Sequence, residues 1–222
     1  IGYRGTVCSL GHWEWYIPND DHGKEWATDD WEIDVDGNVN GQGLISHGVL
    51  YFNGLTQQQI TGTPQYEQFG VLWVGGKSLG GGQDNYDQTE LTIPAGRVVR
   101  AAFVEVFGKL VLSDNAVLEL GGEAYGGVLR IVELCGILVT NSAAGSEPTI
   151  RPANTYSTSH RFSFTLLYSG QLDVDGLILS GSDKNGLYFL SSIETNYGTR
   201  RLNLANVRFT NTQAGGVHLR YK

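Results

Sequence analysis

The sequence has no methionine, only two cysteines and five prolines among 222 residues, and no apolar run that approaches a membrane span. Each absence closes a class. A spanning helix needs roughly 20 consecutive apolar residues, and the most apolar segment, 128–139, is broken by Arg130 and Glu133. No membrane span is expected. With no initiator methionine and no basic-then-apolar leader, the chain reads as a processed product or an excised piece. Cys8 and Cys135 cannot build a disulfide framework and match no zinc spacing, which leaves one long-range bridge or two free thiols. Basic residues are scarce too: the net charge of -8 argues against non-specific binding to nucleic acid or to an anionic membrane, both of which need a basic surface. Helical spacing is also missing from any stretch longer than about ten residues.

What the chain has instead is glycine, 31 of them, among abundant Asn, Ser and Thr. Such a composition implies many turns and an all-β fold. Its clearest signal is a repeat: Gln171-Leu-Asp-Val-Asp-Gly-Leu-Ile-Leu-Ser180 is answered thirty residues later by Arg201-Leu-Asn-Leu-Ala-Asn-Val-Arg-Phe-Thr210. At the same shift, Asn185 to Leu190 is answered by Gly215 to Arg220. Apolar residues alternate on both sides of Asp175-Gly176 and of Ala205-Asn206, as in half-buried strands that turn a corner at a residue tolerant of positive φ. Strand, corner, strand, loop and strand, repeated one layer higher, describe a parallel β-solenoid whose coils each leave an apolar row for the next to cover.

The expected organisation is an acidic, Trp-rich N-terminal β region or cap over residues 1–88 and a β-solenoid over 89–222. Within the first part, Leu44 to Leu55 and Phe69 to Gly76 read as strands, separated by a Gln-rich loop from Thr56 to Gln68, and Gly75 to Gln88 reads as a second loop. In the second, Leu110 and Leu112 can be laid over Val132 and Leu134, and those over Leu172 and Val174. Asn141 to His160 then becomes a surface excursion.

The strings Leu91-Thr-Ile-Pro-Ala-Gly96, Gly108-Lys-Leu-Val-Leu112, Gly127-Val-Leu-Arg-Ile131 and Gly136-Ile-Leu-Val139, with Glu147-Pro148, resemble the glycine-punctuated G8-type β domain that precedes right-handed β-helices in large cell-surface proteins. The resemblance implies an extracellular or cell-surface setting that faces glycans. It brings no catalytic residue with it.

Charge is divided along the chain. Nine acids lie between Glu14 and Asp36 against the single Lys24, whereas no acid follows Glu194 and Arg200, Arg201, Arg208, Arg220 and Lys222 do. An acidic end that includes Asp29 and Asp30, and a basic end that stops inside an apparent strand, suit a head-to-tail contact between copies of the chain, which forms a filament if it does not close. The expected function is therefore a non-enzymatic extracellular structural subunit, a filament or surface-layer component whose partner is itself. The alternative is a glycan-binding or glycan-cleaving β-helix, tail-spike-like or lyase- or hydrolase-like, with the long loops forming a groove for polysaccharide.

Three residue sets bear on that alternative. Asp173 and Asp175 lie two apart on one strand, roughly 7 Å from each other, within the range of a glycosidase acid pair; two solvated outer-face acids are the plainer reading. Trp13, Trp15 and Tyr16 alternate with Glu14 and could make a flat platform for sugar rings, or pack over the first coil. Glu32, Asp34 and Asp36, followed by Gly37, have the spacing of the first half of a calcium loop, but Gly43 stands where its bidentate acid belongs. Calcium is thus the one cofactor to consider, beside an ordinary Asp-Gly corner or none.

Overall fold

The computed structural model describes residues 2–3, 7–8, 32–35, 39–40, 49–52, 57–61, 66–75, 89–122, 126–132, 136–153, 159–167, 170–190 and 202–221. Nineteen strands and no helix are found among them. In chain order they are β1 (Gly2–Tyr3), β2 (Val7–Cys8), β3 (Glu32–Val35), β4 (Val39–Asn40), β5 (Val49–Phe52), β6 (Gln57–Thr61), β7 (Tyr66–Val74), β8 (Glu90–Ile93), β9 (Val98–Val106) and β10 (Lys109–Leu112). There follow β11 (Val117–Leu120), β12 (Val128–Ile131), β13 (Ile137–Asn141), β14 (Thr149–Pro152), β15 (Phe162–Leu167), β16 (Gln171–Ser180), β17 (Ser182–Leu190), β18 (Leu202–Thr210) and β19 (Leu219–Tyr221).

Every pairing between these strands is parallel, and the pairings sort into three ladders visited in a fixed order. The first ladder stacks β1, β3, β5, the end of β7, the end of β9, β12, β15, β17 and β19. The second stacks β2, β4, β6, β8, β10, β13 and the starts of β16 and β18. The third stacks the starts of β7 and β9, then β11, β14 and the ends of β16 and β18. The chain is a three-sided parallel β-solenoid. Its first ladder continues from β5 through β7 into β9, across residue 88.

Alternation fills the interior. One residue in two points inward on each side, and successive coils bring these residues into register as vertical rows. In the second ladder the row starts at Gln58 in β6 and is leucine from β8 onward: Leu91, Leu110, Leu138, Leu172 and Leu202. The third carries Val99, Leu118, Ile150, Leu179 and Phe209, and the first carries Leu72, Val104, Leu129, Phe164, Leu187 and Leu219. A fully buried side chain of this size contributes about 1.5–3 kcal/mol relative to an exposed one. The sum of many such layers holds the stack together.

Corners are set by backbone more than by side chains. Gly75, Gly108, Gly136 and Gly170 stand at the turn from the first to the second ladder, and a Cβ on Gly136 would lie 2.3 Å from the Val106 and Val132 carbonyl oxygens. Between the second and third ladders the strand runs on through a left-handed residue, Gly176 (φ 76°) in β16 and Asn206 (φ 53°) in β18. The corner expected at those two positions is present at both.

Four expectations about register and loops need correcting. The thirty-residue shift holds for Leu172 with Leu202 and for Leu179 with Phe209, but Leu187 pairs with Leu219, two residues beyond the expected Val217. A slip of two keeps the same side chains facing inward. Leu110 lies over Leu138, whereas Val132 follows β12, with its N–H donating to the Val106 carbonyl on a different side. The stretch from Thr56 to Gln68 contains β6 and the start of β7, with Gln58 fully buried; a polar run thus hid a strand. Likewise the Asn141 to His160 excursion contains β14, the third-ladder strand of its coil.

Candidate functional site

The outer faces of the middle coils are closed by ion pairs between adjacent layers. On the third ladder Glu119 is buried between two arginines, with Oε2 accepting from Arg100 at 2.7 Å and Oε1 from Arg151 at 2.8 Å. Lys109 pairs with Glu90 on the second ladder at 2.7 Å. On the first, Arg130 lies 3.7 Å from Glu105 and 4.9 Å from the centre of the Phe103 ring. Burial pushes the Glu105 carboxyl up from its ordinary value of 4.5, against the pull of Arg130. Trp73 and Phe107 pack edge to face at 5.7 Å on the same side. The charged side chains among these are paired across the layers.

Two surfaces differ. The first is the far side of the coil made by β18 and β19. Leu202, Leu204, Val217 and Leu219 are 45%, 37%, 46% and 50% exposed, and Val207 and Phe209 are only partly buried. Leu202, Leu204, Val207, Phe209 and Leu219 continue rows whose members one coil below, Leu172, Val174, Leu177, Leu179 and Leu187, are buried. The polar side chains of this coil face back toward the preceding one. Asn203 Nδ2 donates to Asp173, Asn206 Nδ2 to Asp175 and Asn211 Nδ2 to the Ser180 hydroxyl, at 3.0, 2.6 and 3.2 Å. Arg220 donates to the Asn185 side-chain carbonyl. An amide that spends its N–H on the layer below keeps its oxygen as an acceptor for a layer above. The exposed coil therefore matches a neighbouring coil that brings apolar rows and hydrogen-bond donors.

The second surface is a cleft of 590 Å³ at the corner between the second and third ladders, built from the turn after β13, the bend of β16 and the bend of β18. Asn141, Ser142, Glu147, Asp175, Asn206 and Arg208 supply its polar lining. The turn is rigid: the Asn115 N–H donates to the Ser146 carbonyl at 2.7 Å, and the Ser142 hydroxyl donates to Asp114 at 2.6 Å. The backbone N–H groups of Glu147 itself and then of Gly145 hold the Glu147 carboxyl below its ordinary 4.5, with Arg208 adding to the effect. Arg208 reaches that carboxylate at 3.4 Å.

The expected site residues fall unevenly on this picture. Asp173 and Asp175 share the outer side of β16, each bound by an asparagine of the next coil, so the pair is a rung of a side-chain ladder. Arg208 and Arg220 lie on the exposed coil. Arg200, Arg201, Lys222, Asp29, Asp30, Trp13, Trp15, Tyr16 and Asp36 lie outside the described residues, as does Cys135. Glu32 and Asp34 are placed in β3 by their backbone alone, so the calcium reading falls outside the described side chains; among those described, no cluster of three metal-ligating groups occurs. Glu147, Asn206 and Ser142 were not marked as site residues by the sequence, and only their positions next to Asp175 and Arg208 in adjacent coils make them a group. No family model matches the chain, and comparison with curated proteins and with solved structures finds no match.

Proposed function

We propose that this protein is a non-enzymatic structural β-solenoid that assembles end to end with copies of itself at a cell surface or outside the cell. The observation that carries this reading is the exposure of Leu202, Leu204 and Leu219, which lie in register with Leu172, Val174 and Leu187, all buried one coil below, with Val217 exposed beside them. Covering each of these side chains is worth up to about 1.5–3 kcal/mol, and unpaired backbone edges of parallel strands recruit further strands. The occupant is a second copy. Its acidic 14–36 segment complements Arg208 and Arg220 on the exposed coil, and its β1 and β2 enter the first and second ladders in the order that β19 and β18 leave them. The extracellular setting draws on the resemblance to G8-type β domains.

Sedimentation velocity and negative-stain electron microscopy of the 222-residue chain at low and moderate salt test the proposal. Concentration-dependent rods that shorten with salt and disappear in Leu204→Asp with Leu219→Asp are expected, and Arg200→Glu with Arg208→Glu should weaken them. Monomers at every concentration, or rods indifferent to the leucine changes, would overturn it. For the alternative of a glycan-cleaving β-helix, each acid of the pair Asp173 and Asp175 accepts from an asparagine of the next coil, and two of the three groove loops carry strands, β6 and β14. A glycan-binding role keeps the corner cleft.

A further inference from the structure

We infer that the corner cleft between the second and third ladders binds a short stretch of a neutral polysaccharide. Three features single it out. Its groups offer both halves of hydrogen-bonding chemistry: carboxylates on Glu147 and Asp175, a guanidinium on Arg208 and amides on Asn141 and Asn206. Sugar hydroxyls donate and accept at once, so adjacent hydroxyl pairs match a carboxylate or guanidinium fork, whereas a purely acidic or purely basic site serves only half of each pair. Val207 and Ala144 add small apolar patches for the C–H face of a ring.

Size and rigidity agree. The volume lies in the range of small-molecule sites, about 300–1,000 Å³, and the cleft opens to solvent instead of closing round its contents, as a site for part of a chain must. The groups come from three successive coils, spaced about 4.8 Å apart, a step comparable to the length of one sugar residue. They are fixed before any ligand arrives: Asn206 holds Asp175, Gly145 holds Glu147, and Arg208 spans to Glu147. Prior fixing reduces the ordering cost of binding.

Charge decides which sugars. Glu147 and Asp175 outnumber Arg208 in the cleft, and Asp114 and Asp173 stand close by on the same corner. A uronic acid or sulfated chain would meet net repulsion; a neutral chain would not. Cleavage is not part of the assignment. Glu147 is held ionised by backbone N–H groups, which suits an acceptor and not a proton donor, and Asp175 is tied to Asn206.

Isothermal titration of the whole chain with neutral cello-, malto- and chito-oligosaccharides, and with an oligogalacturonate as the anionic probe, tests the inference. At least one neutral series should bind saturably, the oligogalacturonate should not, and no reducing ends should appear. Asp175→Asn and Arg208→Ala should each weaken binding about tenfold, the loss of one charged hydrogen bond. Ala144→Trp, on an exposed turn outside the ladders, should block the cleft in a chain whose circular dichroism is unchanged. No binding across the neutral panel, equal or tighter binding of the oligogalacturonate, or affinity untouched by all three variants would overturn it. Released reducing ends that vanish in Asp175→Asn would overturn it too, by making the cleft catalytic. Run at a chain concentration at which sedimentation shows monomers, Asp175→Asn and Ala144→Trp separate failure of this inference from failure of end-to-end assembly, in which Arg208 also takes part.

Discussion

Leu172 and Leu202 are the same residue in the same row, in strands with the same alternation, yet one is 1% exposed and the other 45%. The coil beneath each is equivalent. The coil above is not: Leu172 is covered by β18, and among the described residues nothing covers Leu202. Burial in a solenoid is thus conferred by the next layer and not by the strand that carries the side chain. The middle coils are a core, and the last described coil is half of one.

The sharpest way to break that comparison is to truncate one leucine in each region. Leu138→Ala should lower stability by about 2–5 kcal/mol, the usual range for a buried leucine. Leu202→Ala should cost under about 1 kcal/mol in a dispersed chain, since it leaves no cavity. Urea midpoints measure both, and a Leu202→Ala cost that grows with protein concentration would mean that assembly has supplied the missing layer.

Next in size is Glu119→Gln, expected to cost about 2–3 kcal/mol because Arg100 and Arg151 then lack the carboxylate between them. Asp173→Asn, at the same kind of inter-coil contact but nearer the open end and in water, should stay within about 0.5 kcal/mol. Equal losses in thermal melts would show that the outer face is as tightly coupled at the end as in the middle.

Corners give a smaller contrast. Gly176 and Gly145 both have positive φ, at 76° and 95°, but a Cβ on Gly176 would sit 2.4 Å from the Ser142 carbonyl oxygen whereas one on Gly145 would meet nothing within 4 Å. Gly145→Ala should therefore show only the conformational cost, about 1 kcal/mol. Gly176→Ala adds a clash between coils and should approach about 3 kcal/mol. Chemical denaturation separates them.

The smallest effect is in acid. The lowered Glu147 carboxyl contributes stability that is present above pH 4.5 and lost as pH falls through its folded value. Glu105 has the opposite sign: its raised carboxyl penalises the folded state above its folded value, and the penalty is relieved as pH falls toward 4.5. Glu147→Gln should flatten the acid side of a stability profile, and Glu105→Gln should steepen it. Parallel profiles for the two variants would contradict both assignments.

How much of this was legible in the sequence depends on what each coil carries between its strands. The Leu172 to Leu202 register could be read directly because the two coils have equal length there and the same left-handed corner. The match of Leu110 with Val132 misled because alternating apolar strings look alike on all three sides, so a string from the first ladder passed for one from the second. β6 was missed because Gln57, Gln58 and Gln59 hide the alternation; inside the fold Gln58 occupies an inward place below Leu91. The corner cleft was nearly invisible, since its groups are scattered from Asn141 to Arg208 and meet only when three coils stack. Asp175 and Arg208 were marked, the one as half of an acid pair and the other as part of a basic end, each for a different role.

The ladders also fix how the molecule bears a load. Every inter-strand hydrogen bond between coils runs along the stacking direction, so a pull along that direction stretches these bonds head on, and layers should give way one after another as a zipper opens. A force applied across the stack would meet all three sides of many coils at once.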